Sequence, residues 1–223
     1  INKDNIATNI IDFIHKNDPD ILVLQEYSPN AKVSFNYPYK AVVLKGEKIN
    51  FGQAIYSKHK IISKGSVDFE NSSNNAIYVD ILRNKDTIRI YNIHLESLRL
   101  GKNQELLMEE EAEKLIKRLT KAFVKQQDQV EKFLLHKAQF KGKTIICGDF
   151  NNTAYSWAYH QIKNQMNDTF IEAGKGFGKT FDLRKYPLRI DFILVDKSWE
   201  VNEHQNFTVS YSDHFPVMAR IGL

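Results

Sequence analysis

Thr144-Ile-Ile-Cys-Gly-Asp-Phe-Asn151 is the stretch from which the rest of the chain can be read. The apolar run from Thr144 to Cys147 has the continuous hydrophobicity of a strand buried on both faces, and it breaks at once into Gly148-Asp149-Phe150-Asn151. Asp149 and Asn151 have the spacing of an Asx-turn, the ordinary use of such residues after a glycine. The same grammar recurs at four other places far apart in the chain. These are Leu24-Gln25-Glu26, Asn92-Ile93-His94-Leu95-Glu96, Arg189-Ile190-Asp191-Phe192 and Ser212-Asp213-His214-Phe215-Pro216. In an α/β sheet, polar groups at strand ends converge on one rim, where ligands bind.

Working outward, Ile21 to Leu24 is a second short apolar run, and further strand candidates fall at 41–44, 53–56, 77–82, 88–95, 190–195, 207–210 and 217–221. Strands outnumber helices. Ile6, Ala7, Ile10, Ile11, Phe13 and Ile14 recur at helical spacing, and Asp18-Pro19 stops that helix before the first run. No Gly or Pro occurs between Lys102 and Lys141, where Ala112, Leu115, Ile116, Leu119, Ala122 and Phe123 mark one helical face. A long amphipathic helix or helical pair is expected there, as an insertion over about 103–136. A shorter helix is expected over about 153–166, and 174–189 reads as a Gly- and Lys-rich loop with no strand before it, so its glycines are no dinucleotide fingerprint. With no repeat or Pro-rich linker, 1–223 reads as a single α/β domain.

The composition agrees and sets limits. Of 223 residues, 42% are hydrophobic and 26% charged, a globular rather than disordered balance. The net charge of +4 suits an anionic substrate mildly and is far below that of a protein that coats nucleic acid. The single cysteine, Cys147, excludes an intramolecular disulfide and a cysteine-based zinc site. No apolar run approaches the roughly 20 residues of a membrane-spanning helix.

The residue types at the five strand ends match one task. Glu26, Asp149, Asn151 and Asp213 are hard oxygen donors suited to Mg²⁺ or Mn²⁺, while His94, His214 and Asp191 supply hydrogen bonds and proton traffic. A Gly-x-Ser-x-Gly elbow and a His-Glu-x-x-His helix are both absent from the sequence.

Taken together, Asp20-Ile-Leu-Val-Leu-Gln-Glu26, Gly52-Gln-Ala-Ile-Tyr-Ser-Lys58, Tyr91-Asn-Ile-His-Leu95, Cys147-Gly-Asp-Phe-Asn151, Arg189-Ile-Asp-Phe-Ile193 and Ser212-Asp-His-Phe-Pro-Val217 resemble the endonuclease/exonuclease/phosphatase superfamily. The resemblance runs in order from Asp20 to Ile221. It implies a four-layer α/β sandwich, with two mixed or antiparallel sheets face to face and helices outside. It also implies divalent-metal-dependent hydrolysis of a phosphoester, with Mg²⁺ or Mn²⁺ as cofactor.

By position the resemblance makes Glu26 the principal metal ligand and Asp213 a further one or a water-mediated contact. His214 would contact the scissile phosphate and Asp191 would orient His214. Asp149 would orient or deprotonate the attacking water, and Asn151 and His94 would bind phosphate oxygens. Arg189 stands where it could reach substrate phosphate, against the common alternative of a salt-bridged strand residue. The chemistry is coherent, because a phosphodiester repels hydroxide and expels a poor leaving group, and a cation answers both problems.

Such a family normally begins with a strand ending in Asn ahead of the first helix. That strand is not in this sequence and is expected to precede Ile1 in a longer chain, together with any export signal or membrane tether. The expected function is a phosphodiesterase acting on nucleic acid, a phospholipid head group or another phosphate ester. The rival is an inactive relative that binds phosphate-bearing ligands as a scaffold. No protein partner is implied.

Overall fold

A computed structural model describes residues 3–29, 34–45, 51–99, 112–183 and 186–222. The chain opens with α1 (Lys3–Asn17), which ends where Asp18 turns into the left-handed region (φ 43°) and donates its amide to Ile14 O. Pro19 then forbids continuation. There follow β1 (Ile21–Tyr27), β2 (Tyr39–Lys45), β3 (Phe51–Ser57), β4 (Ile61–Asp68), β5 (Asn75–Arg83) and β6 (Asp86–His94). After α2 (Ala112–Gln139) come β7 (Lys143–Asp149), α3 (Trp157–Lys163), β8 (Asn167–Asp168) and α4 (Thr169–Ala173). The chain closes with β9 (Phe181–Leu183), β10 (Tyr186–Leu188), β11 (Asp191–Val195), β12 (Glu200–Asn206) and β13 (Val217–Gly222).

One sheet has the order β4-β5-β6-β7-β11-β8; a second has β1-β3-β2, and β12-β13 and β9-β10 are separate antiparallel pairs. Period-2 alternation sorts the side chains into layers. Ile77, Val79, Ile88, Ile90, Ile145 and Val195 pack with Ala41 and Ile55 in one cluster between the sheets. The alternate residues Tyr91, Ile93, Ile146, Phe192 and Leu194 pack with Val130 and Phe133 of α2 and Tyr159 and Ile162 of α3. On the opposite side, Leu22, Leu24, Ala54 and Tyr56 meet Ile10, Ile14 and Phe13 of α1. The layers therefore run helix, sheet, sheet, helices, the expected α/β sandwich.

Several local expectations need correction. Residues 207–210 are not a strand: β12 ends at Asn206, and the Phe207 ring packs edge-on against Phe13 at 4.8 Å. The stretch 174–189 is not all loop, because it holds the β9-β10 hairpin. The helix expected over about 153–166 is shorter, with Ser156 accepting from the Tyr159 amide as N-cap and Asn164 (φ 38°) closing it. The helical insertion is α2 from Ala112 onward; residues 103–111 lie outside the described residues. No helix among the described residues is long and apolar enough to cross a membrane.

Candidate active site

Two strand pairings assemble the centre of the site. In the parallel pair β6-β7, His94 stands opposite Asp149; in the antiparallel pair β7-β11, Asp149 stands opposite Asp191. Three side chains are thereby set in a row across one sheet rim by backbone hydrogen bonding alone. The parallel pair requires a long crossover, which α2 supplies. It also requires Gly148, whose φ is 144° and where an added Cβ would collide with Ile93 O.

Beyond the strand end the chain makes the expected Asx-turn. The Asn151 amide donates to Asp149 Oδ1 at 2.7 Å, and Asn151 Nδ2 donates to Leu95 O at 2.9 Å with the residue at φ 50°. This locks the Asp149 carboxylate to its own loop and that loop to the end of β6. His214 arrives from the segment before β13, paired through an isolated bridge with Phe181. Its Nδ1–H donates to Asp191 Oδ2 at 2.9 Å, since an ionised carboxylate only accepts. His94 Nε2 and His214 Nε2 lie 3.7 Å and 3.9 Å from Asp149 Oδ2. Those separations are too long for direct hydrogen bonds, so the oxygen sits between two imidazoles without being tied to either.

The electrostatics follow from burial and crowding. Burial pushes the Asp149 carboxyl well above the usual range, and the charge of Asp191 pushes it further. Burial lowers His94, opposed by the charge of Glu26. Burial also works against protonation of His214, but its bond to Asp191 and the charges of Asp191, Asp149 and Asp213 outweigh this and raise it to about 9. One rim thus carries a proton-hungry carboxylate, a neutral-leaning imidazole and a cationic one.

Glu26 and Asp213 flank this centre and are exposed. Glu26 sits at φ 48° where the β1-β3 register shifts, and its charge acts on both His94 and Asp149. The bulge is held from the other sheet: Gln25 Nε2 donates to Asn92 Oδ1 at 2.5 Å, and Asn92 Nδ2 donates to Leu24 O at 2.9 Å. Among the described residues, ligand atoms of Asp149, Asp191 and His214 all lie within 4.8 Å of one another; Glu26 and Asp213 are not in that group. The fit to a hard cation rests on this crowding of two carboxylates, with exposed acids beside them that leave room for water and substrate oxygens.

Arg189 does not join the centre. Its guanidinium bonds Asp168 Oδ2 at 2.7 Å and lies 4.7 Å from the ring centroids of both Phe170 and Phe192. Of the two expectations for Arg189, the structure shows the salt-bridged one, and its partner Asp168 is fully buried. Glu96 is likewise occupied, by Lys125 and Ser72.

Supporting residues had no individual signal in the sequence. Gln126 and Gln129 are buried within α2. Gln126 Nε2 donates to Glu96 O at 2.8 Å and Phe150 O at 3.3 Å, and its Oε1 accepts from Asn152 Nδ2 at 2.8 Å. Gln129 Oε1 accepts from the Glu96 amide at 2.8 Å. The loops after β6 and β7 are therefore braced by one helix. Two amides three residues apart on an otherwise apolar helical face are the trace they leave in the sequence.

Residues 5–214 match the model of the Endonuclease/Exonuclease/phosphatase family. No curated protein matches the chain in sequence. Among solved structures, a conserved protein of unknown function from Enterococcus faecalis is 19% identical with a TM-score of 0.73, over 97% of this chain and 90% of that one. A humanized TDP2 from D. rerio is 17% identical with a TM-score of 0.71, over 100% and 93%. A mannosyl-6-phosphatase from Bacteroides thetaiotaomicron is 16% identical with a TM-score of 0.69, over 99% and 92%. At these identities the likeness is one of fold.

Proposed function

This chain belongs to the Endonuclease/Exonuclease/phosphatase family, and from that premise we propose that it is a divalent-metal-dependent phosphodiesterase using Mg²⁺ or Mn²⁺ and water. The observation that carries the reading is Asp149 Oδ2 set between His94 and His214, with Asp191 bonded to the far side of His214. Glu26 and Asp213 are the oxygen donors that would hold the ion, beside the crowded Asp149–Asp191 pair. When bound it neutralises the nonbridging phosphate oxygens and stabilises the leaving oxygen.

Each protein group then has a defined task. Asp149, with burial raising its proton affinity, aims the attacking water and takes its proton. Its other oxygen is held by the Asn151 amide, so the carboxylate cannot swing away. Asp191 fixes the Nδ1–H tautomer of His214 and favours its cationic form, which donates from Nε2 to a phosphate oxygen as charge grows there. His94 and Asn151 complete the phosphate cradle. The substrate class spans nucleic acid, phospholipid head groups and other phosphate esters, as the net charge of +4 favours an anion without selecting one.

The test is hydrolysis of bis-p-nitrophenyl phosphate with Mg²⁺, with Mn²⁺ and with EDTA, beside Glu26→Ala and His214→Ala. Turnover that needs the metal and is lost in both variants supports the proposal. Silence on the diester and on a panel of monoesters would favour the phosphate-binding scaffold.

A further inference from the structure

Thr180 is fully buried, belongs to none of the strand-end motifs and has no place in the chemistry above. We propose that Thr180 is the positioning residue that sets the Asp191–His214 hydrogen bond, and through it the approach of His214 to the substrate phosphate. The inference rests on the roles assigned to Asp191 and His214 under the proposed function.

Three hydrogen-bonding groups of this one residue hold three different segments. Thr180 Oγ1 accepts from the amides of Ile190 at 3.0 Å and Asp191 at 3.1 Å, pinning the backbone at the start of β11. Its carbonyl accepts from the Phe215 amide at 2.7 Å, one residue beyond His214. Its own amide donates to Leu188 O at 2.8 Å, at the end of the β9-β10 hairpin. The next two residues extend the contact: Phe181 bridges His214 with ring centroids 4.9 Å apart, and the Asp182 amide donates to Asp213 O at 3.1 Å.

Asp191 and His214 are 23 residues apart in sequence and lie on elements that do not pair directly along their length. Their 2.9 Å hydrogen bond needs both backbones held in place, because such bonds weaken outside a range of about 2.7–3.2 Å. Thr180 is where the two meet, because its side chain grips one and its main chain the other. A hydroxyl oxygen with two lone pairs can accept two amides at once; a methyl in its place leaves both without an acceptor in a dry site. A displacement of about 1 Å at a reacting group costs on the order of 10²-fold in rate.

The variants are Thr180→Val, which keeps the shape without the acceptor, and Thr180→Ser, which restores it; Thr180→Cys replaces the valine variant should that not fold, as judged by near-ultraviolet circular dichroism. Two readouts are taken. With bis-p-nitrophenyl phosphate and Mn²⁺, kcat of the valine variant is expected to fall about 10- to 100-fold with KM within about twofold of the parent, and serine is expected to return most of it. In metal-free, ¹⁵N-histidine-labelled protein, the downfield proton resonance of His214 Nδ1–H is expected in the parent and the serine variant, and to be absent in the valine variant as in Asp191→Asn. A valine or cysteine variant that keeps the resonance and the parental kcat, or a loss that serine does not repair, overturns the assignment. If the parent hydrolyses nothing, the proposed function fails but the resonance still decides whether Thr180 sets the pair.

Discussion

Asp149 and Asp191 occupy opposed positions where β7 and β11 pair, so two carboxylates share one rim, their repulsion softened by His214 and by the Asn151 amide. Burial and the Asp191 charge raise the Asp149 carboxyl, and the same Asp191 charge raises His214.

Asp191→Asn removes the anion that favours the imidazolium. In metal-free protein the titration of His214, followed by NMR, is expected to fall from about 9 toward 6.5. The sign is fixed by linkage: stability from a raised histidine is present below 6.5 and lost as pH rises through about 9, and the variant lacks that alkaline loss. A midpoint that stays near 9 would place the source of the shift elsewhere.

Asp149→Asn is expected to abolish turnover by about 10²- to 10⁴-fold while leaving the metal-free protein at least as stable at pH 7. A carboxyl raised in the folded state makes stability decline as pH rises above 3.8, and a neutral amide of the same shape removes that decline. Thermal unfolding at pH 5 and pH 7, with and without metal, checks both halves. A variant that is both inactive and markedly less stable would contradict the account.

Gln126→Leu leaves the carbonyls of Glu96 and Phe150 and the Asn152 amide without their partner on α2. About 1–3 kcal/mol of stability is expected to be lost for each group left buried, together with about tenfold in kcat as both site loops loosen. Urea unfolding and steady-state kinetics measure the two effects. Unchanged kinetics would show that the loops keep their places without the helix.

His204 is buried against Thr169, and burial lowers its pKa, so the unfolded chain takes up a proton that the folded one resists. Stability is expected to be full above 6.5 and to decline as pH falls below it. In His204→Gln, urea midpoints at pH 7.5 and pH 5.5 should lie closer together than in the parent. An equal spread in both proteins would assign the acid sensitivity to other groups.

Gly148→Ala places a methyl on the Ile93 carbonyl at a φ of 144°. A loss of more than about 2 kcal/mol is expected, with activity abolished, because the strands must part where His94 and Asp149 meet. Near-parental stability would show that β6 and β7 can separate locally at little cost.

Glu26, His94 and Asp149 stood out in the sequence because each closes an apolar run, whereas Asp191 opens β11 and Asp213 and His214 precede β13. Layering was legible too, since Ile90 and Tyr91 or Ile145 and Ile146 face opposite cores by simple alternation. What escaped was structure made by pairing rather than by hydrophobicity. Strand β4, at a sheet edge, reads Ile-Ile-Ser-Lys-Gly-Ser-Val-Asp, and β12 reads Glu-Val-Asn-Glu-His-Gln-Asn; most of their polar residues are exposed, with His204 the buried exception, so neither forms an apolar run. Arg189 escaped for a related reason: its partner Asp168 is 21 residues away, and only the fold brings them together.

The ladder that aligns His94, Asp149 and Asp191 also lays Ile93, Ile146 and Phe192 into the core beneath the helices. A one-residue slip of β7 would move Asp149 out of line, yet it would only exchange Ile145 and Ile146 between two apolar cores. Hydrophobicity therefore does not police this register; the close approach of Gly148 to Ile93 and the grip of the Asn151 amide on Asp149 do.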